Sequence, residues 1–282
     1  MPELPEVETV RAGLAEHSVG RPVRAVRVLD ARSLRRHLPG PADFEAALTG
    51  RALRGAYRRG KYLWLTLSEP DGTLADEALV VHLGMSGQLL VRDEPGGDVD
   101  SEFGSDSGND SEAHAAFEAE PRHLRVALEL GPVGATCSAS GAGQRLLFVD
   151  QRIFGGMFLS DVVSDIPAGA SLAGAEEIPE EFLVPQAVQH IGRDPVDPYF
   201  DLSLIRAKML RTASGIKRLL LDQSVVSGIG NIYADEALWR ARIHYAKPAK
   251  SLSAAQTREL FAAVHQVLTE ALHAGGTSFD AL

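Results

Sequence analysis

The chain has 282 residues, of which 45% are hydrophobic and 23% charged, a balance typical of a globular protein rather than a disordered or fibrous one. Its length allows two domains, no apolar run is long enough to span a membrane, and the N-terminus lacks the charged-then-apolar order of a signal peptide. The net charge of −10 argues against a nucleic-acid partner. The single cysteine, Cys137, excludes a disulfide framework and a four-cysteine zinc site. We therefore expect a cytoplasmic protein without a metal or other cofactor.

The N-terminal half is predicted to contain one helix followed by short strands. Four apolar residues recur at helical spacing and predict an amphipathic helix from about Pro5 to His17: Leu4, Val7, Val10 and Leu14. Five apolar or alternating runs predict strands: VRAVRVL in the region 22–29, KYLWLTL from Lys61, ALVVHLGM, HLRVALEL from His123, and QRLLFVD. Short strands between Gly-rich turns are typical of an antiparallel sandwich or barrel.

An acidic, Ser/Gly-rich stretch interrupts the strands over residues 93–122 and predicts a disordered loop, most simply a solvated loop without a role. Ten acidic residues and no lysine or arginine lie between Asp93 and Glu120, which leaves 28 acidic against 28 basic residues elsewhere. Arginines also cluster locally, as in RSLRRH and RGAYRRGK. The net charge is therefore weak evidence about the partner.

A Pro/Gly/Glu-rich stretch over residues 161–190 predicts a linker between a β-domain at 1–160 and a helical domain at 191–282. Four runs in the second domain predict successive helices: LSLIRAKML, IKRLLLDQSV, IYADEALWRARI and AAQTRELFAAVHQVLTEAL.

The first residues, MPELPEVETV, allow two interpretations. Pro5 and the glutamates that follow it suit the first turn of a helix. If Met1 is removed, however, Pro2 exposes a secondary amine beside Glu3. Such an amine could attack a sugar C1′ and form an iminium, while the carboxyl protonates the ring oxygen. Taken alone, the stretch fits a helix start better than an active site.

Two Gly-flanked turns carry side chains suited to DNA. HLGMSGQL places Met85 after an apolar strand, and DQRIFGG places Arg152 and Phe154 before paired glycines. Side chains of these types can wedge between stacked bases, although taken alone Met85 and Phe154 are more typical of core residues.

A third candidate is SVVSGIGNIYADEALWRA, in which Gly228 and Gly230 permit close backbone approach and Asn231 is predicted to be the N-cap of the next helix. The N–H groups of that helix N-terminus would suit a phosphate, with added charge from Lys217. Helix–turn–helix connections are also common in proteins that never touch DNA, so this motif alone favours neither interpretation.

Six segments in this order closely resemble the bacterial formamidopyrimidine-DNA glycosylase family, from Pro2 to about Thr277: MPELPEVETVRAGL, RRGKYLWL, HLGMSG, DQRIFGG, IKRLLLDQ and SGIGNIYADEALWRARI. The resemblance implies an α+β fold, with an N-terminal antiparallel β-sandwich, a flanking helix and a C-terminal helical domain carrying a helix–two-turns–helix motif. It implies a monomeric base-excision repair enzyme acting on double-stranded DNA. Such an enzyme removes oxidised purines (8-oxoguanine and formamidopyrimidines) and nicks abasic sites by β/δ elimination.

The resemblance also implies a role for each candidate residue. Pro2 is the implied nucleophile and Glu3 the proton donor, while Lys61 donates a proton in strand cleavage and contacts phosphate. Met85, Arg152 and Phe154 fill the void left by the flipped base, and Arg152 reads the orphaned cytosine. The implied phosphate contacts are Lys217, Asn231 and His82.

The sequence departs from the family in one respect. The family carries a four-cysteine zinc finger after a GGTS segment, whereas here GGTS is followed by FDAL and Cys137 is the single cysteine. We therefore expect weak, strongly salt-sensitive DNA binding. The alternative function is a DNA-binding remnant that recognises damage without turnover.

Overall fold

A computed structural model describes residues 2–93, 121–134, 143–171 and 177–276. Cys137 and residues 94–120, which make up nearly all of the predicted disordered loop, lie outside the described residues. Among the described residues, no helix is both long enough and apolar enough to cross a membrane.

The N-terminal domain is a sandwich of two antiparallel sheets with two flanking helices. Its elements are α1 (Leu4–His17), β1 (Val23–Val28), α2 (Pro41–Leu48), β2 (Ala52–Arg59), β3 (Tyr62–Ser68), β4 (Leu74–His82), β5 (Gly87–Asp93), β6 (Leu124–Leu130), β7 (Gln144–Asp150), β8 (Gly156–Ser164) and β9 (Leu183–Pro185). One sheet has the order β1-β6-β7-β5 and the other β2-β3-β4-β8-β9.

The main core lies between the two sheets and receives alternate residues of their strands. Val7 and Leu14 of α1 and Phe44 of α2 close it at the flanks. A smaller cluster covers the outer face of the five-stranded sheet, where Trp64 and Phe158 pack against Val188. The sandwich therefore holds α1 in a fixed position.

The five predicted strands and the N-terminal helix are confirmed, but β2, β5, β8, β9 and α2 were not predicted. The segment 161–190 differs from a simple linker, because its first residues complete β8 and Leu183–Pro185 pairs back onto that strand as β9. Because the segment is rich in proline and glycine, the sequence did not predict this strand pairing. Strand β2 reads as polar because it contains three arginines whose charges are paired with carboxylates: Arg54 with Glu180, Arg58 with Asp194 and Arg59 with Asp165.

The C-terminal domain contains the four predicted helices: α3 (Leu202–Leu210), α4 (Ile216–Leu220), α5 (Asn231–Arg240) and α6 (Ala254–His273). Helix α4 is much shorter than the run IKRLLLDQSV suggested, since it ends at Leu220 and a turn leads to Gly230. The helices bury their own core, into which Leu4 of α1 inserts. The first residue of α1 thus belongs to the core of the other domain and joins the two domains at the chain's N-terminus.

Candidate active site at the junction of the domains

Glu3 is held at the N-terminus of α5. One of its carboxylate oxygens accepts a hydrogen bond from Gly230 N at 2.7 Å and the other from Ile232 N at 3.2 Å. A Cβ added to Gly230 would lie 2.2 Å from the Glu3 carboxylate, so only glycine allows this approach. Free N–H groups and the positive end of a helix dipole favour a carboxylate at this place.

This contact corrects the prediction for the SGIGN segment. The N-cap of α5 is Gly230, and Asn231 is the first helical residue, with an exposed side chain. Two of the N–H groups that the sequence suggested for a phosphate bind Glu3 instead. The correction could not be reached from local sequence, because a carboxylate 227 residues away in the chain takes the donors.

Glu6 is a functional candidate that the sequence identified only as a residue suited to the first turn of a helix. It is buried, and its carboxylate accepts from Glu3 N at 2.8 Å and from the Tyr233 hydroxyl at 2.9 Å. The first of these bonds caps α1, as its position in the first turn predicts. The second ties α1 to α5, so Glu6 holds the backbone next to Pro2 in place.

Lys61 lies in the tight turn between β2 and β3 and is buried. Burial lowers the pKa of its ammonium, and the nearby carboxylates of Glu3 and Glu6 partly offset this effect. The Lys61 ammonium is therefore within electrostatic range of the carboxylates of Glu3 and Glu6. A lysine with a lowered pKa exchanges protons more readily near neutral pH.

The turn that carries Lys61 is fixed from two sides. A Cβ on Gly60, whose φ is +59°, would lie 2.6 Å from Ser227 Cβ, so the turn abuts the second domain directly. On the other side, buried Arg58 pairs with Asp194 at 2.8 Å and with Glu8 of α1 at 2.9 Å. This ion-pair network joins α1, β2 and the start of the second domain.

An open cavity of about 530 Å³ lies beside Pro2. Its lining combines Pro2 and Glu6 with Leu83, Leu89, Arg92 and Gly275. Its volume lies within the roughly 300–1,000 Å³ usual for small-molecule sites, and its lining offers both apolar and polar contacts. The half-exposed Pro2 therefore faces a space that a base or sugar can enter.

Met85 and Phe154 are not core residues, because 45% and 52% of their surfaces are exposed. Both lie on turns at the ends of strands, Met85 after β4 and Phe154 before β8, and Arg152 on the second turn is also exposed. Large apolar side chains left in solvent on neighbouring turns indicate a binding surface. The structure thus places the three residues together at one edge of the sandwich.

His82 lies at the end of β4, with its ring centroid 4.7 Å from that of Tyr62. Burial, helped by the positive charges of Arg36, Arg35 and Lys61, lowers the pKa of His82 to about 4, so the imidazole is neutral at pH 7. Arg36 lies over the Tyr62 ring, 5.7 Å from its centroid. The RSLRRH cluster noted in the sequence therefore forms a cationic edge next to Lys61.

Lys217 and Asn231 lie on α4 and α5 of the helical domain. The Lys217 ammonium is paired with Asp235 of α5 at 2.8 Å, so any phosphate would compete with this carboxylate. Asn231 is exposed.

Comparison with known proteins gives a consistent assignment. A family model described as formamidopyrimidine-DNA glycosylase N-terminal domain matches residues 1–157, and one described as formamidopyrimidine-DNA glycosylase H2TH domain matches residues 191–281. Curated relatives named formamidopyrimidine-DNA glycosylase include those of Nocardia farcinica, 49% identical over 100% of this chain and 81% of the relative, and of Kineococcus radiotolerans, 46% identical over 100% and 82%.

Solved structures agree. The Lactococcus lactis Fpg in complex with DNA containing an abasic site is 26% identical, with a TM-score of 0.67 over 98% of this chain and 81% of that one. The wild-type Lactococcus lactis Fpg with DNA containing an oxidised pyrimidine is 27% identical, with a TM-score of 0.68 over 100% and 83%.

Proposed function

Because the chain belongs to the formamidopyrimidine-DNA glycosylase family, we propose that it repairs DNA by removing oxidised purines and nicking the abasic product through an iminium at Pro2. It is a base-excision repair glycosylase that acts in the bacterial cytoplasm, as a monomer on double-stranded DNA. The observation that carries the proposal is the convergence of Glu3, Glu6 and Lys61 beside Pro2 where α1 docks on α5.

The first step needs Met1 to be removed, since only then is the Pro2 nitrogen a secondary amine. Its lone pair bonds to C1′ of the damaged nucleotide, and the electrons of the N-glycosidic bond leave with the base. Glu3 takes the proton that the amine loses and passes it to the ring oxygen, which opens the sugar to an iminium. The steps use an amine, a carboxyl and a lysine, so the proposal assigns no cofactor to this chain.

Lys61 serves the second step. The iminium makes the C2′ proton of the sugar acidic. When this proton is removed, its electrons form the C2′–C3′ double bond and the 3′ phosphate leaves. Because burial lowers the pKa of Lys61, the side chain can donate and regain a proton near neutral pH, while its charge contacts the phosphate.

The exposed turns perform the extrusion. Flipping a nucleotide costs a few kcal/mol, and Met85, Arg152 and Phe154 offset this cost by filling the space in the stack, with Arg152 on the orphaned cytosine. Lys61 and neutral His82, with Arg36 beside them, supply phosphate contacts at the same edge, and Lys217 and Asn231 supply further contacts from the helical domain.

Replacement of Glu3 tests the chemistry. Glu3→Gln keeps the shape of the side chain, removes the proton carrier and loses one of the bonds from Gly230 N or Ile232 N, so excision from a duplex containing 8-oxoguanine opposite cytosine should fall about 100-fold or more. Trapping by borohydride on a duplex with a preformed abasic site should remain, since the abasic sugar is a hemiacetal that equilibrates with its open aldehyde without the enzyme. Single-turnover cleavage and trapped adduct are measured on gels.

Glu259→Gln, at an exposed position on α6, is the matched control and should leave both reactions unchanged. Retained excision by Glu3→Gln would remove the assigned role from Glu3. A folded wild-type protein that binds damaged duplex but forms no adduct on either substrate would instead support the non-catalytic remnant.

A further inference from the structure

Asp150, the last residue of β7, joins the turn that carries Met85 to the turn that carries Arg152 and Phe154, together called the wedge turns. It is fully buried, and one carboxyl oxygen accepts from the Ser86 hydroxyl at 2.6 Å and from Arg152 N at 3.0 Å. The other oxygen accepts from Gly155 N at 2.8 Å. Ser86 follows Met85, and Arg152 and Gly155 bracket Phe154, so one carboxyl group binds both turns.

The two turns also touch through their backbones. Gly84 has a φ of +64°, and a Cβ there would lie 2.4 Å from Gly155 N. A Cβ on Gly155 would in turn lie 2.7 Å from His82 O. On the outer side, the Arg35 guanidinium donates to the carbonyls of Ile153 and Phe154. The turns therefore have no freedom to shift relative to each other while Asp150 keeps its three bonds.

We infer that Asp150 is a positioning residue that holds Met85, Arg152 and Phe154 in one fixed arrangement. This arrangement serves base extrusion and the reading of the orphaned base. This inference rests on the proposed function. Three side chains on two turns fill a void in a base stack only if their spacing is already set, because ordering them on binding would cost part of the energy needed for flipping.

The position of Asp150 separates this role from the chemistry at Pro2. Its carboxyl oxygens contact the wedge turns, whereas the contacts of Glu3 and Glu6 lie at the N-terminus of α5. Loss of the Asp150 bonds should therefore impair steps that depend on the stacked duplex and spare attack on an abasic sugar that needs no extrusion. A purely structural role would instead impair every reaction to the same extent.

The test compares Asp150→Asn with wild type. Asparagine has the same shape, but its amide places a donor against Ser86 or a backbone N–H, so at least one bond is lost. Single-turnover excision from a duplex with 8-oxoguanine opposite cytosine should fall 10- to 100-fold, and the rate ratio between cytosine and adenine opposite the lesion should shrink at least threefold. Borohydride trapping on a single-stranded abasic oligonucleotide should stay within twofold.

Asp161→Asn, an exposed position on β8, is the matched control and should behave as wild type in all three assays. If Asp150→Asn fails to fold, Ser86→Ala decides the matter, since it removes one of the three bonds and should lower duplex excision two- to fivefold with single-strand trapping unchanged. Equal losses on both substrates, or an unchanged opposite-base ratio in a folded variant, would overturn the inference. A wild type without any adduct would refute the proposed function instead.

Discussion

At the scale of single residues, the site depends on contacts that join the two ends of the chain. Glu3 contacts the N-terminus of α5 and Glu6 contacts Tyr233, while the charges of both carboxylates act on the pKa of Lys61. The sequence showed that Pro2 and Glu3 could act as an amine and an acid, and the resemblance to the family implied their roles and that of Lys61. It could not predict the contacts of Glu6 or Asp150, since their partners are fixed only when distant segments fold together.

His82 gives a residue-scale prediction for stability. Its folded pKa is about 4, below the ordinary value of 6.5, because burial and nearby cations disfavour the charged ring. Between pH 4 and pH 6.5 the unfolded chain therefore binds a proton at His82 that the folded chain does not bind. His82's contribution to the free energy of unfolding is complete above pH 6.5 and is lost as the pH falls towards 4. The loss in free energy of unfolding should be about 2–3 kcal/mol.

Urea unfolding at pH 7.5 and pH 4.5 measures this loss. His82→Gln should lose about 2 kcal/mol less than wild type on acidification. His265→Gln, at an exposed position on α6, should match wild type. An equal pH dependence in wild type and His82→Gln would contradict the prediction.

At the scale of elements, local patterns predicted those whose burial follows a simple period. Helix α1 and the apolar strands β3 and β4 are examples. Strand β2 was not predicted because its core positions alternate with arginines that pair with carboxylates of distant segments. Strand β9 was not predicted because its three residues form a strand only by pairing with β8. Taken alone, the sequence favoured core positions for Met85 and Phe154, which are exposed, since a turn between two apolar strands can point inward or outward.

The docking of α1 on α5 supplies a prediction at this scale. Gly230→Ala would place a Cβ 2.2 Å from the Glu3 carboxylate, which must then move and lose its bond from Gly230 N. Excision of 8-oxoguanine should fall at least tenfold, and the melting temperature should drop by several degrees. Gel assays and thermal unfolding monitored by circular dichroism measure both effects.

Gly169→Ala is the control for this substitution. A Cβ at Gly169 meets no atom within 4 Å, although its φ of +89° is strained for alanine. Some stability should therefore be lost with excision unchanged. If Gly230→Ala kept full activity, the Glu3 contact with α5 would not position the catalytic acid.

At the scale of the whole molecule, the chain carries a net charge of −10, yet cations gather at the edge of the sandwich. Lys61 and Arg36 lie close enough to His82 at this edge to help lower its pKa, and Lys217 on α4 is the third cation that the proposed function assigns to phosphate. The chain spans 81–82% of the two curated relatives compared above, so its affinity must be measured on these 282 residues rather than assumed from theirs.

Salt dependence tests this distribution of charge. If three cations neutralise phosphates, the logarithm of the binding constant should fall with the logarithm of salt concentration at a slope of about −3. Arg36→Gln should reduce the slope by about 1, whereas Arg258→Gln, at an exposed position on α6, should leave it unchanged. Fluorescence anisotropy with an abasic-analogue duplex between about 50 and 200 mM salt gives the slopes. A slope unaffected by Arg36→Gln would place the DNA elsewhere.

The central claim is that the Pro2 nitrogen is the nucleophile, and the most direct measurement locates the covalent bond. Wild-type protein is reduced with borohydride during reaction with an 8-oxoguanine duplex, digested, and sequenced by mass spectrometry. The account predicts a chain that begins at Pro2, with the reduced sugar remnant on its N-terminal nitrogen. A remnant on Lys61, or a protein that retains Met1 and still forms the adduct, would contradict it.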